Sequence, residues 1–144
     1  YAASLHMVNR YENWRLATQI TRYGYALGGP NLVPMGAYDY AADVAAEAWV
    51  AAGSLSYQID TPAITWLDYI IPYIEYSSII KDEAAFNNSH MFIVGAAWAS
   101  GGWYIYTDLA VSNGNYFVGD QGDFGANPNN EWQTRFNINF GYYF

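Results

Sequence analysis

The last fourteen residues, 131–144, alternate between apolar and polar side chains. A period of two predicts a β-strand with one apolar and one polar face. The apolar face is aromatic at both ends and aliphatic or Phe between them, which is typical of a strand that crosses a bilayer between two interfacial girdles. A strand of a soluble β-sandwich shows the same alternation, so that fold is the alternative. The apolar positions are Trp132, Thr134, Phe136, Ile138, Phe140, Tyr142 and Phe144.

Six further segments show strand patterns: 1–9, 14–25, 41–59, 64–79, 89–99 and 103–112. Segment 41–59 is ambiguous because its Ala-rich first half has high helix propensity; we favour a strand. Period two places the even-numbered residues from Val44 to Val50 on the outer face and Asp43, Glu47 and Trp49 on the inner face. The apolar phase changes after Gly53, which predicts a β-bulge.

The predicted connections alternate in length along the chain. Residues 10–13, 60–63 and 100–102 form short turns, whereas 26–40, 80–88 and 113–130 form longer loops. Short periplasmic turns and long extracellular loops are typical of bacterial outer-membrane barrels. The predicted fold is therefore all-β: a transmembrane antiparallel up-and-down β-barrel, with residues 1–144 as one domain. Seven strands is an odd number, so we expect this to be the C-terminal part of a larger barrel, for example sixteen-stranded; a miscounted eight-stranded barrel is the alternative.

Composition narrows the function classes. The net charge is −8 with a single lysine, which makes nucleic acid a poor candidate partner. The chain has no Cys, so it has no disulfide framework and no thiolate metal site. It has no apolar run of about 18 residues, so no transmembrane helix is predicted. Aromatic residues make up 19% of the chain, which suits interfacial belts.

The segments 101–119 (GGWYIYTDLAVSNGNYFVG) and 131–144 (EWQTRFNINFGYYF) resemble the end of Gram-negative outer-membrane porins, in particular the porin O/P-like group of phosphate-selective or carbohydrate-type channels. The likeness covers roughly the second half of the chain, from Pro72 onward. It implies a water-filled channel for passive diffusion of small hydrophilic solutes or ions, located in the bacterial cell outer membrane. The implied partners are outer-membrane lipid and lipopolysaccharide, the barrel-assembly machinery through the C-terminal strand, and further copies in a homotrimer; no cofactor is implied.

The chain departs from this family in its basic residues. A phosphate-selective pore is expected to present lysines or arginines to its lumen, and this chain has one Lys and four Arg. The departure argues against phosphate as the solute.

The alternation places a set of charged and aromatic side chains on the inner face of the predicted strands. Facing acidic and basic residues in a pore wall orient hydrated solutes and set ion selectivity, and the excess of acids predicts a weak cation preference. The alternative is that these residues only pair with one another across strands. The inner aromatic residues form either a surface for stacking sugar rings or ordinary lumen packing. The predicted pore-lining residues are Arg15, Asp43, Glu47, Glu75, Tyr104, Tyr106, Asp108 and Arg135, with His6, Arg10, Trp49, Tyr69 and Tyr73 on the same inner face.

A second set is predicted to anchor the strands at the membrane interfaces, where amphipathic rings are enriched. Four of its members, Trp14, Trp66, Trp98 and Trp103, lie close to short turns. The others are Trp132, Tyr142 and Phe144.

Catalysis, metal binding and a role as an anchor are alternative functions that the sequence supports less well than a channel. Ser89, His90 and the preceding Asn87 and Asn88 are catalytic residue types, but neighbours on a strand point to opposite faces, so they cannot form a triad by themselves. No enzyme and no metal site is predicted, although the carboxylates of Asp120 and Asp123 in loop 113–130 would suit Ca²⁺. The main alternative function is a small closed outer-membrane barrel acting as an anchor, adhesin or binding protein.

Overall fold

Consecutive strands pair side by side in one antiparallel sheet, in the order in which they occur along the chain. The structure is a computed structural model that describes residues 1–37, 40–118 and 124–144. The fold is all-β, as predicted, and the described residues contain no helix. The seven long strands are β1 (Ala2–Tyr11), β2 (Trp14–Gly24), β5 (Glu47–Tyr57), β7 (Tyr69–Lys81), β8 (Ser89–Ser100), β9 (Trp103–Asn113) and β10 (Trp132–Tyr142).

Three short strands of the described ranges lie outside this series. β3 (Leu32–Ala37) and β4 (Tyr40–Ala45) form a separate two-stranded sheet within the connection between β2 and β5. The two-residue β6 (Ile59–Asp60) pairs with the start of β7. The single strand predicted over 41–59 is therefore wrong in its extent, because its first residues belong to the inserted β3–β4 hairpin.

The connections differ in length between the two ends of the sheet. One end, the short-turn end, carries the two-residue turns 12–13 and 101–102 and the segment 58–68. The other, the long-loop end, carries 25–46, 82–88 and 114–131. The predicted short turn at 60–63 is wrong, since the next long strand begins only at Tyr69. Segment 61–68 instead forms turns, with Leu67 buried and with hydrogen bonds from Thr61 to the Leu67 carbonyl and from the Asp68 amide to the Ala99 carbonyl.

Strand pairing gives the sheet one apolar face. In an antiparallel pair, residues directly opposite each other point to the same side. The register joins Leu5 to Ile20 and Leu109 to both Val94 and Phe136, so their side chains share one surface. Large apolar side chains on it stay substantially exposed, for example Leu5 (71%) and Phe140 (65%). We call this surface, which also carries Leu16, Leu55, Ile74, Phe92 and Ile138, the apolar face, and the opposite one the polar face.

The buried apolar residues are small. Within the described ranges they are mostly alanines, with Leu67 and Tyr116 as the large members. The described residues therefore contain no core of large side chains packed between layers. The described part of the chain contains no helix that is long and apolar enough to cross a membrane.

The sheet is open among the described residues. Of the described strands, β1 pairs only with β2 and β10 only with β9, so the two outermost strands are not paired with each other. The predicted closed barrel is thus not formed by these strands alone.

Candidate functional site

The polar face lines a cavity of about 530 Å³ toward the short-turn end. Arg10 on β1 and Asp108 on β9 line this same cavity although four strands separate them. The sheet therefore curves with its polar face on the inside. A second cavity of about 290 Å³ shares Ser54, Glu75 and Ile93 with the first, and His6 and Gln19 contribute to its wall.

Charges of opposite sign lie on different strands of the main cavity. Arg10 and Arg15 are directly opposite each other on β1 and β2, as follows from the two-residue turn that joins these strands. Glu75 on β7 faces Ser54 on β5, and Asp108 on β9 faces Gly95 on β8. The basic side of the cavity is thus separated from the acidic side by the serines of β5.

Asp108 is positioned by Tyr73. The Tyr73 hydroxyl donates a hydrogen bond to Asp108 Oδ2 at 3.0 Å, across the intervening strand β8. Gly95 makes room for this contact: a Cβ on Gly95 would lie 2.6 Å from Asp108 Cβ and 2.8 Å from Tyr73 Cζ. The register places Tyr73, Gly95 and Asp108 in one row across three strands.

Tyrosines line the cavity beside the acidic residues. The rings of Tyr104 and Tyr106 are 5.0 Å apart between centroids in an edge-to-face arrangement, and Tyr73 lies 6.4 Å from Tyr106. Tyr69 and Tyr143 line an adjoining pocket with Tyr104. Of the predicted inner aromatic residues, Tyr69, Tyr73, Tyr104 and Tyr106 thus lie on the polar face.

Trp49 and Glu47 do not lie on the polar face, and their predicted inward placement is wrong. β5 runs without the predicted bulge, and its register with β2 and β7 is continuous through Gly53. Trp49, Ala51, Gly53 and Leu55 therefore all lie on the apolar face. The prediction took the even-numbered alanines as outward-facing because they are apolar. Ala48 is instead fully buried on the polar face, where a small apolar side chain is equally suitable.

Asp43 also lies outside the wall predicted for it. It belongs to β4 of the inserted hairpin and not to the seven-strand series. Its backbone lies close to Gly125, where an added Cβ would be 3.3 Å from the Asp43 carbonyl oxygen.

Arg135 is on the polar face of β10, and its guanidinium donates to the carbonyl of Phe117 at 2.5 Å.

Arg22 forms an ionic cluster that the sequence pattern did not single out. It lies at the long-loop end of the apolar face, where its guanidinium binds Asp82 through two hydrogen bonds and Glu47 at 3.3 Å. It also lies 5.6 Å from the centroid of the Trp49 ring. The hydrogen bond from Arg22 holds the pKa of Asp82 below its usual value. An arginine at an apolar-face position of the alternation was the signal that could have identified this cluster.

Most predicted interface anchors lie at the two ends of the apolar face. The Trp14 ring packs against the Tyr57 ring with centroids 4.7 Å apart, and the Trp103 ring against the Tyr142 ring with centroids 5.0 Å apart. Both pairs lie near the short-turn end. Trp98 lies on the same face and donates from Nε1 to Thr107 Oγ1 at 2.9 Å. Trp132 is at the opposite end, stacked on His90 with ring centroids 6.4 Å apart.

The remaining two anchors lie outside the strands. Trp66 is 67% exposed and belongs to segment 61–68. Phe144 follows β10 and is fully exposed.

Two long loops meet over the polar face at the long-loop end. The Tyr116 hydroxyl reaches the Ala41 carbonyl at 3.3 Å, and Phe124 stacks on Tyr116 with centroids 5.9 Å apart. Phe124 also lines a pocket with Val50, Ile79 and Met91, which are residues of three different strands. We call the hairpin β3–β4 together with 114–118 and 124–130 the loop cap.

Asparagines attach the loop cap to the strands. Asn127 is 1% exposed, and its Nδ2 donates to the Asn88 carbonyl at 2.9 Å and to Asn113 Oδ1 at 2.5 Å. Its own carbonyl accepts from Asn87 Nδ2 at 2.9 Å. The polar face beneath the cap is accordingly buried, as Ser89 (3%) and Ser112 (1%) show.

The catalytic residue types at 87–90 do not converge on one site. Ser89 lies on the polar face, whereas His90 lies on the apolar face and shares a hydrogen bond of 2.9 Å with the Tyr76 hydroxyl. Asp120 and Asp123, considered as calcium ligands, lie outside the described residues. Among the described residues there is no group of three or more His, Asp or Glu side chains suited to a metal ion.

The chain matches no protein-family model, no curated protein and no solved structure with which it was compared.

Proposed function

We propose that this chain forms part of the wall of a transmembrane β-barrel in a bacterial outer membrane. We further propose that the barrel is a porin, a channel for passive diffusion of small hydrophilic solutes. The observation that carries this proposal is the division of the sheet into an exposed apolar face and a polar face that lines cavities.

The exposed apolar area argues for a lipid environment. Soluble monomers rarely expose a contiguous apolar patch above a few hundred Å². Here large side chains such as Phe136 (64%), Phe140 (65%) and Leu5 (71%) share one face. Removing each such side chain from water contributes about 1.5–3 kcal/mol, so the hydrocarbon of a bilayer strongly favours this face.

The height of the apolar face fits a bilayer. Ten residue steps separate Trp132 from Tyr142, the aromatic residues at the two ends of β10. At about 3.4 Å per residue this is about 34 Å along the strand, or about 26 Å across the membrane at a tilt of about 40°. An outer-membrane barrel has an apolar band about 25 Å tall between its aromatic girdles.

The open edges define what a membrane form requires. Unpaired backbone groups in hydrocarbon cost several kcal/mol each, so only closed barrels are stable there. In this proposal β1 and β10 pair with further strands, supplied by a longer chain such as a sixteen-stranded porin or by other copies. The proposed partners are outer-membrane lipid and lipopolysaccharide, the barrel-assembly machinery at the exposed end of β10, and further copies in a homotrimer.

The polar face supports diffusion of small polar solutes without a strong preference for cations. Within the described strands its non-buried charges are Arg10, Arg15 and Arg135 against Glu75 and Asp108, together with His6. The excess of acids expected from the sequence is lost because Asp43 and Glu47 lie elsewhere. Three arginines against two carboxylates do not favour cations in this part of the wall.

The loop cap favours a second candidate, a closed barrel that acts as an anchor, adhesin or binding protein. A cap that buries Ser89 and Ser112 narrows the interior at the long-loop end. If the remaining wall were equally covered, solutes could not pass.

Single-channel current in a planar bilayer, recorded with the full-length protein under a KCl gradient, tests the proposal. We expect discrete open steps and a reversal potential close to zero. A correctly inserted protein that gives no steps would overturn the porin proposal in favour of the anchor or binding barrel.

A further inference from the structure

Arg10 and Arg15 are directly opposite each other on neighbouring strands, with side chains on the same face. Like charges in this arrangement destabilise a sheet. Neither arginine forms a hydrogen bond or ion pair with another residue of ranges 1–37, 40–118 and 124–144. Glu12 lines the same cavity but pairs with neither of them. The two guanidinium groups thus present uncompensated donors to the cavity, which is the arrangement that a carboxylate ligand requires.

Glu75 provides the opposite charge on the other side of the same cavity. It is exposed to the cavity and likewise forms no hydrogen bond or ion pair within the described ranges. Asp108 lies two strands further on, with one carboxylate oxygen engaged by the Tyr73 hydroxyl. This side of the cavity therefore suits an ammonium group.

The distance between the two sides limits the size of the ligand. Arg15 is opposite Ser56 and Glu75 is opposite Ser54, so their backbones are two strands and two residues apart, about 12 Å. The serines between them have small side chains, which leaves the floor of the cavity open. A dipeptide extends over about 7 Å, and the long Arg and Glu side chains reach into the remaining gap.

We propose that this part of the cavity binds small zwitterionic solutes of dipeptide size, with the carboxylate on Arg10 and Arg15 and the ammonium on Glu75. This inference deepens the proposed function and rests on it for the role of the cavity as part of the solute path. A solute with a single charge gains one of these contacts and meets an uncompensated charge at the other side, so a zwitterion is favoured over both an anion and a cation.

Isothermal titration calorimetry on the full-length protein in detergent tests the inference with glycylglycine as the probe. N-acetylglycylglycine keeps only the carboxylate, and glycylglycinamide keeps only the ammonium. Because each charge-assisted contact is expected to contribute about a factor of ten, glycylglycine should bind about tenfold more tightly than either analogue.

Two variants assign the contacts. Arg15→Gln should weaken glycylglycine binding toward the level of glycylglycinamide, since only Arg10 then faces the carboxylate. Glu75→Gln should weaken it to the level of N-acetylglycylglycine. The control Glu131→Gln, in an exposed position before β10, should bind as the unaltered chain does. Arg15→Gln should also raise the urea midpoint of unfolding, because it removes the repulsion from Arg10. A raised urea midpoint would show that the loss of binding in Arg15→Gln does not come from a loss of folding.

The outcomes separate the inference from the porin proposal. Equal binding of the three probes, no binding, or binding unaffected by both variants would overturn the zwitterion site even if the protein conducts. Selective binding that depends on Arg15 and Glu75, in a protein that gives no channel steps, would support the site and overturn the porin.

Discussion

Gly95 shows how a single residue controls the packing of the polar face. Its missing side chain lets Tyr73 cross β8 and hydrogen-bond Asp108. We expect Gly95→Ala to displace the Tyr73 ring and destabilise the folded protein by about 1–3 kcal/mol, because the new methyl group would overlap atoms that are already in contact. Urea titration of the protein in detergent micelles measures this change.

Gly53→Ala is the matched control for Gly95→Ala. It also lies inside a central strand, but its new Cβ would be 3.9 Å from the nearest atom, which is an ordinary contact. Equal urea midpoints for the two variants would show that the Tyr73 contact does not depend on the space at Gly95.

Asn127 is a second residue whose replacement has a defined consequence. It is buried, it has a left-handed backbone with φ of 48°, and its amide donates two hydrogen bonds to the strands. Asn127→Ala removes both donors and places an alanine in a conformation that it disfavours, so we expect the loop cap to loosen by about 2–3 kcal/mol. Limited proteolysis within 124–130 should become faster.

Two further variants separate the causes at Asn127. Asn127→Gly tolerates the left-handed backbone but still lacks the donors, so it should recover only part of the loss. Asn129→Ala, at an exposed position two residues away, should resist proteolysis as the unaltered chain does. The account is contradicted if Asn127→Ala is as resistant as Asn129→Ala.

At the scale of elements, the strands with large apolar residues on one side were predictable. Segments 14–25, 89–99 and 103–112 correspond closely to β2, β8 and β9, because Trp, Leu, Ile and Phe alternate there with polar or small residues. The prediction for segment 41–59 failed because alanine is compatible with contact with lipid, with burial beneath a loop and with a helix. Its pattern could not distinguish these environments, so both the hairpin and the phase of β5 were missed.

The candidate site was predictable in its members but not in its contacts. Alternation alone placed Arg10, Arg15, Glu75 and Asp108 on one face. The facing pair Arg10 and Arg15 depends on a turn of two residues rather than four. The contact between Tyr73 and Asp108 depends on the register of three strands, which the sequence does not encode in any short motif.

The phase of β5 leads to a prediction about neighbouring residues. Ala51 lies on the apolar face with Trp49, and Ala52 lies on the polar face. The chain has no cysteine, so Ala51→Cys and Ala52→Cys each introduce a unique labelling site. An environment-sensitive fluorophore should be quenched by a lipid-borne quencher at residue 51 and not at residue 52. The reverse pattern would restore the bulge at Gly53 that the sequence suggested.

At the scale of the whole molecule, the seven long strands act as one curved wall rather than as two layers around a core. Most of their large apolar side chains lie on the outside of the curve, whereas the inside carries mainly polar residues, small residues and tyrosines, with a few aliphatic side chains such as Ile79 and Ile93. The exposed aromatic rings, the loop cap and the main cavity follow from position along the strands: rings at both ends, loops over one end, and the main cavity toward the other. The proposed membrane form requires that this apolar face be removed from water.

That requirement gives the prediction that tests the orientation of the wall. Ile138 lies at the middle of the apolar face of β10, and Asn139 follows it on the polar face. An arginine on the lipid side at mid-depth costs about 2–4 kcal/mol, whereas one on the lumen side stays in water. We therefore expect Ile138→Arg to lower the free energy of unfolding in lipid bilayers by this amount. Asn139→Arg should leave the free energy of unfolding nearly unchanged. Reversible folding into lipid vesicles, monitored by tryptophan fluorescence, measures the free energy of unfolding of both variants. If Asn139→Arg were the more damaging variant, the polar face would be the one in contact with lipid, and the proposed channel would have no aqueous lining.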